Sequence, residues 1–188
     1  LLSWCEHEDL PIKKCGKVIV PQKAELDAQL DLLLERGTTN GAEVYLINEK
    51  ELHKLVKHGH TSSGRALWSP KTCVVNPKLI IERLTLKLKQ KGVKFLLGRE
   101  IKKISSDKKS FEIISKGLSE CISFGHLFNT SGLQADRVAN QFGLAEKYKI
   151  LPFKGIYWKL NPSSGLDFNT NLYPVPDLNV PFLGVHFT

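Results

Sequence analysis

The apolar positions along this chain switch repeatedly between a two-residue and a helical period. Residues 10–21, LPIKKCGKVIVP, end in a β-rich run bounded by Pro21. Leu26, Leu30 and Leu33 then recur at helical spacing, with Gly37 as the expected stop. EVYLIN (43–48) reads as a strand, EKELHKLVK (49–57) as a short helix and KHGHTSSG (57–64) as a loop. RALWSPKTCVV (65–75) is strand-like and broken at Pro70. The clearest helix start follows: Asn76 can cap, and Pro77 takes the first helical position, where its missing N–H costs nothing. Ile80, Ile81, Leu84 and Leu88 make one apolar face, and Gly92 ends the helix. VKFLLG (93–98) reads as a strand, and residues 100–124 as a three-stranded meander. HLFNTSG (126–132) reads as a buried strand ending in a glycine turn, before a helix marked by Ala135, Val138, Ala139 and Phe142 and closed by Gly143. From Lys149 onward the pattern is all β, in KILPFKGIYWKL (149–160) and FLGVHF (182–187), with Pro-rich connections.

This order predicts an α/β (α+β) protein: a helix and strands of dinucleotide-binding type between two β-rich flanks that form a mixed sheet in a second domain. The chain is expected to pass between them, with 1–75 and 146–188 in one domain and 76–145 in the other. Its 188 residues suffice for a real core. No apolar run approaches the ~20 residues that span a bilayer. Both ends are abrupt and the sequence has no Met, so it reads as an internal slice whose function is that of a longer parent. The four cysteines are scattered without CxxC spacing, which points to reduced thiols in an intracellular setting.

Lys plus Arg of 27 against Asp plus Glu of 19 gives a net charge of +8. Between Lys87 and Lys109 stand nine Lys/Arg against Glu100 and Asp107. Such a stretch can meet nucleic acid or an anionic membrane, but a solvated helix face and a hairpin edge guarded by lysines is the better reading. Aromatic residues do not interleave with it as an RNA-binding sheet requires.

The strongest local candidate for chemistry is FNTSGLQAD (128–136). A strand ending at Asn129, with Ser131 and Gly132 opening a helix, presents backbone N–H groups to an anion; as bare pattern, a structural turn is the commoner meaning. Lys154 lies among apolar residues in PFKGIYW (152–158), and anchoring an anionic substrate or snorkelling from a strand are equally good readings. His186 sits in an apolar stretch beside Gly184, where a hydrogen-bonded core histidine is the commoner outcome. His58 and His60 have HxH spacing without a matching cluster, so a loop is favoured and no metal site is expected. No GxGxxG, P-loop or GxSxG motif occurs.

Five motifs in order, CGKVIV (15–20), RALWSPKTCVVNP (65–77), FNTSGLQADR (128–137), PFKGIY (152–157) and LYPVPDLNVPFLGVHF (172–187), resemble the FAD-dependent L-2-hydroxyglutarate dehydrogenase/oxidase family, within the D-amino-acid-oxidase-like flavoproteins. The last is the most specific. The resemblance implies a partial FAD/NAD(P)-binding domain over 76–145 and an incomplete substrate domain in 1–75 and 146–188. It implies FAD as cofactor and oxidation of L-2-hydroxyglutarate to 2-oxoglutarate, the flavin doing the redox work. Lys154 and Tyr157 would bind substrate and His186 would be catalytic. Asn129, Thr130, Ser131 and Gly132 would approach the FAD through their backbone, and Ile101 its adenine end. Lys154 stands where the family usually has Arg, leaving a point charge in place of a bidentate fork. The family's N-terminal GxGxxG segment and C-terminal flavin-closing segment are not in these residues, so the slice alone is expected to be inactive. The resemblance leaves the electron acceptor open, with quinone one option, and leaves open a peripheral membrane contact; nucleic acid is not expected as a partner. An intracellular location follows, cytoplasmic or at the inner membrane, mitochondrial in a eukaryote. The alternatives are a related oxidase of glycerol-3-phosphate or an amino acid, or a non-enzymatic basic binding fragment.

Overall fold

A strand persists only where a neighbouring strand takes up its N–H and C=O groups, and that requirement sorts the expected elements. The computed structural model describes residues 1–188 apart from 106–108, 116, 178 and 180–183, and the side chains at 103 and 115. In chain order the elements are α1 (Leu2–His7), β1 (Ile12–Lys14), β2 (Lys17–Val20), α2 (Ala28–Thr39), β3 (Tyr45–Asn48), α3 (Glu49–Leu55), β4 (Arg65–Ser69), β5 (Cys73–Val75) and α4 (Pro77–Gln90). There follow β6 (Glu100–Ser105), β7 (Ser110–Ser115), β8 (Leu118–Ser123), α5 (Ala135–Asn140) and β9 (Asn171–Pro174). They gather into two compact units, one of residues 1–91 with 160–188 and the other of residues 92–159. The compact units divide at 91/92 and 159/160, and the domain bounds expected from the sequence stand at 75/76 and 145/146.

The first unit is built on a four-stranded mixed sheet in the order β3-β4-β2-β9, with β2 antiparallel to β4 and parallel to β9. Alternation along β2 sends Val18 and Val20 to one face, where they meet Leu52 and Val56 from the α3 side and Ala66 of β4. The opposite face holds Leu67 and Ile19 against Leu30, Leu33 and Leu34 of α2. Leu30 and Leu52 are fully buried, each contributing about 1.5–3 kcal/mol by removal from water. Arg65, at the head of β4, donates to Asp27 and Asp31 and ties α2 to the sheet. On the edge of this unit β1 and β5 form a two-stranded ladder. The Glu8 carboxylate, 6% exposed, accepts from Arg83 and Lys87 and joins α1 to α4. Asn76 caps α4 through its side chain to the Lys78 N–H, as the sequence predicts.

Two glycines mark where backbone needs outrun side chains. Gly16 has φ +65°, and a Cβ there would sit 1.9 Å from the Trp68 ring. Gly37, expected as a helix stop, lies inside α2 instead; its missing side chain admits Val44, 2.8 Å from where a Cβ would be.

The second unit carries the predicted meander, with the order β6-β7-β8. Ile104 and Ile113 are its buried apolar residues among those described, and Phe111 stacks on Phe124 with ring centroids 5.9 Å apart. The Gln141 side chain, just past α5, accepts from the Ile104 N–H at 2.8 Å and fastens that helix to β6.

Several expected strands do not form. Residues 93–98, 126–131 and 149–160 have no regular structure, since no described strand offers them a ladder, and their apolar side chains lie largely exposed. Phe128 is 84% exposed and Trp158 is 92% exposed. The apolar face of α4 forms as a helix, but none of its residues is buried. FLGVHF falls partly outside the described residues, and its described part contributes a single bridge, Leu172 to Phe187. Conversely, β9 lies where the sequence reads as a connection. The mixed α/β class holds throughout.

Candidate functional site

Four segments of the second unit converge on one cleft of about 200 Å³. Ile101 and Ile104 of β6, Phe111 of β7 and Val138 of α5 supply apolar walls. Leu127 through Ser131 form the remaining side. Ile101, Asn129, Thr130 and Ser131, all singled out from the sequence, therefore line a common cleft; Gly132, the next residue in the chain, is not among its lining residues. Asn129 organises the turn: its Nδ2 donates to the Ala135 carbonyl at 2.8 Å, while its Oδ1 accepts from the Ser131 hydroxyl at 2.6 Å and the Ser131 N–H at 3.3 Å. Gly132 has φ +54° with open space where a Cβ would stand, so a ligand can approach its backbone. The turn differs from the expected one in how it leads into the helix. A 3-10 turn, Gly132–Gln134, intervenes, and α5 is only six residues long, so its dipole adds little at Gly132. Asp136 anchors the far end by accepting from the Ile150 and Arg137 N–H groups at 3.1 and 2.8 Å. Those backbone donors hold its carboxyl below the ordinary 3.8.

His186 belongs to the first unit. Its Nδ1 lies 3.2 Å from the Gly184 carbonyl oxygen, and its ring packs on Tyr173 of β9 with centroids 4.5 Å apart. A carbonyl oxygen only accepts, so Nδ1 carries the proton in that contact and Nε2 is the nitrogen left for other partners. Lys17 of β2 stands over the Tyr173 ring at 5.4 Å. The sequence did not single out Tyr173 or Lys17, because the parallel β2–β9 register that pairs Ile19 with Tyr173 has no local signature.

Lys154 and Tyr157 belong to the second unit, in residues 149–160, and both are exposed. The Tyr157 ring folds back over Gly155, approaching within 3.0 Å of where a Cβ would be. Lys154 is thus not the strand lysine of one sequence reading. The structure brings four of the five residues expected at the cofactor, Ile101, Asn129, Thr130 and Ser131, to one cleft, while Lys154 with Tyr157 and His186 lie in separate units.

The other candidates resolve simply. His58 and His60 sit on the predicted loop; the His60 ring meets His53 edge-on at 6.3 Å, and His53 contacts the Gly59 carbonyl through Nε2. Lys87, from the basic stretch, is engaged by Glu8. Among the described residues no helix is long and apolar enough to cross a membrane.

The described fold is a mixed sheet and a separate antiparallel meander, with a cleft beside an Asn-Thr-Ser-Gly turn. Over residues 2–188 the chain matches, and belongs to, the DAO family of FAD dependent oxidoreductases. It is 37% identical over 191 residues to the mitochondrial L-2-hydroxyglutarate dehydrogenase of Caenorhabditis elegans, covering 99% of this chain and 43% of that protein. The L-2-hydroxyglutarate dehydrogenase of Indibacter alkaliphilus is 36% identical, covering all of this chain and 47% of the relative. The mitochondrial protein of that name from Homo sapiens is 30% identical, over all of this chain and 42% of its own length. The chain thus spans less than half the length of these curated relatives. Among solved structures, L-proline dehydrogenase from P. horikoshii superposes with a TM-score of 0.65 over 77% of this chain and 38% of its own, at 21% identity; that likeness shows the fold alone.

Proposed function

We propose that the full-length protein oxidises the 2-hydroxyl of L-2-hydroxyglutarate to 2-oxoglutarate with FAD. The observation that carries this reading is similarity over the whole chain, at 30–37% identity, to proteins named for that dehydrogenase. The cleft between β6 and the Asn129–Gly132 turn fits part of such a cofactor. Its apolar walls suit a flat ring, the open space at Gly132 admits a ligand close to the backbone, and the volume suits a portion of a dinucleotide only. Ile101, Asn129, Thr130, Ser131 and Gly132 hold the cofactor in this reading. FAD, when bound, supplies a two-electron acceptor for the hydride leaving C2 of the substrate.

The remaining chemistry belongs to the chain's own residues. Lys154 attracts a substrate carboxylate as a point charge, and Tyr157 donates a hydrogen bond to it. His186 takes the hydroxyl proton at Nε2, the nitrogen not committed to Gly184. The substrate thereby loses one hydride and one proton as its C–O bond becomes C=O.

Anaerobic titration of the full-length holoprotein tests this: L-2-hydroxyglutarate should bleach the flavin absorbance stoichiometrically. Bleaching by L-proline or glycerol-3-phosphate, with none by 2-hydroxyglutarate, would move the substrate assignment elsewhere.

A further inference from the structure

A catalytic imidazole works only if its ring is held in one orientation and one tautomer, and the surroundings of His186 supply both constraints. Its backbone neighbour Phe187 is fixed to β9 by reciprocal bonds, Phe187 N–H to the Leu172 carbonyl at 2.9 Å and Leu172 N–H to the Phe187 carbonyl at 3.0 Å. The Phe187 ring also stacks on Phe168 at 4.6 Å, nearly parallel at 9°. The segment is therefore pinned at position 187 by backbone and ring together. Two residues before His186, Gly184 adopts φ +83°, and its carbonyl meets His186 Nδ1 at 3.2 Å.

What remains free is rotation of the imidazole about its own side-chain bonds, and here Tyr173 acts. Its ring lies against that of His186 at 4.5 Å, tilted by 31°. Lys17, on the neighbouring strand β2, places its ammonium 5.4 Å from the same Tyr173 ring. Tyr173 is thus set by strand pairing from below and by a cation–π contact, and it offers His186 a fixed aromatic face.

We infer that Tyr173 is a positioning residue for His186: with the Gly184 carbonyl it holds the imidazole as the Nδ1–H tautomer and leaves Nε2 directed to substrate. This rests on the reading of His186 as the proton acceptor. The Tyr173 hydroxyl has no role in it; the ring alone carries the effect.

The test uses full-length holoprotein labelled with 15N in histidine, with His186→Gln to assign the His186 signals. Wild type and Tyr173→Phe should show a single Nδ1–H tautomer, with ring protons shifted upfield by the adjacent aromatic face. Tyr173→Leu should lose that upfield shift and average the two tautomers. In the same proteins Tyr173→Leu should lower kcat by on the order of 10- to 100-fold, with KM little changed, and Tyr173→Phe should keep most of the activity. Lys17→Gln, on a separate strand, should give a smaller effect of the same kind, and it carries the comparison if Tyr173→Leu does not fold. His186 signals that are unchanged in Tyr173→Leu overturn the inference, as do altered signals with an unaltered kcat. A wild-type flavin that stays oxidised in L-2-hydroxyglutarate overturns the substrate reading instead, and the ring signals still decide whether Tyr173 holds His186.

Discussion

Gly16 shows most directly how one residue type is forced by its surroundings. The positive φ excludes an ordinary side chain, and the Trp68 ring fills the space where one would go. Gly16→Ala should destabilise the protein by about 2 kcal/mol or more, read as a lower urea midpoint. Charge acts at the same scale. Lys87, with Arg83, holds the Glu8 carboxyl below its ordinary 4.5, and Arg65 holds Asp27 below its ordinary 3.8. Because the folded state binds these protons more weakly than the unfolded chain, the stabilisation is complete above the ordinary carboxylate range. It is lost as pH falls through the lowered folded values. Urea midpoints should therefore drop as pH falls through and below the ordinary carboxylate range, and the double variant Glu8→Gln/Asp27→Asn should be less stable at neutral pH with a flatter acid slope. An unchanged slope would contradict this. Among the candidate residues, Asn129, Ser131 and His186 stand out in the sequence because polar side chains interrupt apolar runs beside glycine. Tyr173 does not, since the role proposed for it depends on a strand pairing across more than a hundred residues.

Elements were legible where their stabilising groups lie within a few residues. The cap at Asn76 formed as read, and so did the meander, whose turns are short. Asn48 and Glu51 close a reciprocal capping box on α3, at 3.1 and 2.9 Å. Asn48→Ala should remove about 1 kcal/mol, measured by thermal or urea unfolding. Residues 93–98, 126–131 and 149–160 have strand-like composition but no described ladder partner. Composition states a preference for extended backbone, whereas a strand is a property of two segments. In the same way Asn129→Ala should loosen the turn that its side chain spans, weakening FAD binding on the order of tenfold while leaving the β6–β8 sheet folded.

At the scale of the molecule, the family and the mixed α/β class were both visible in the ordered motifs. The sequence marks α4 as a new element beginning at Pro77, and the long-range ion pairs of Glu8 with Arg83 and Lys87 tie it to α1. Ile81, Leu97, Phe128 and Trp158 remain exposed in a chain spanning less than half its curated relatives' length. Residues 1–188 expressed alone should therefore bind an apolar fluorescent dye far more strongly per molecule than the full-length protein; equal binding would contradict this. The central claim, flavin-linked oxidation of a 2-hydroxy acid, is most directly tested by mixing oxidised full-length holoprotein with L-2-hydroxyglutarate in the absence of oxygen. The account predicts rapid loss of the oxidised-flavin absorbance with one 2-oxoglutarate formed per flavin, and a much slower loss in His186→Gln. Flavin that stays oxidised, or that is bleached equally fast in His186→Gln, would contradict it.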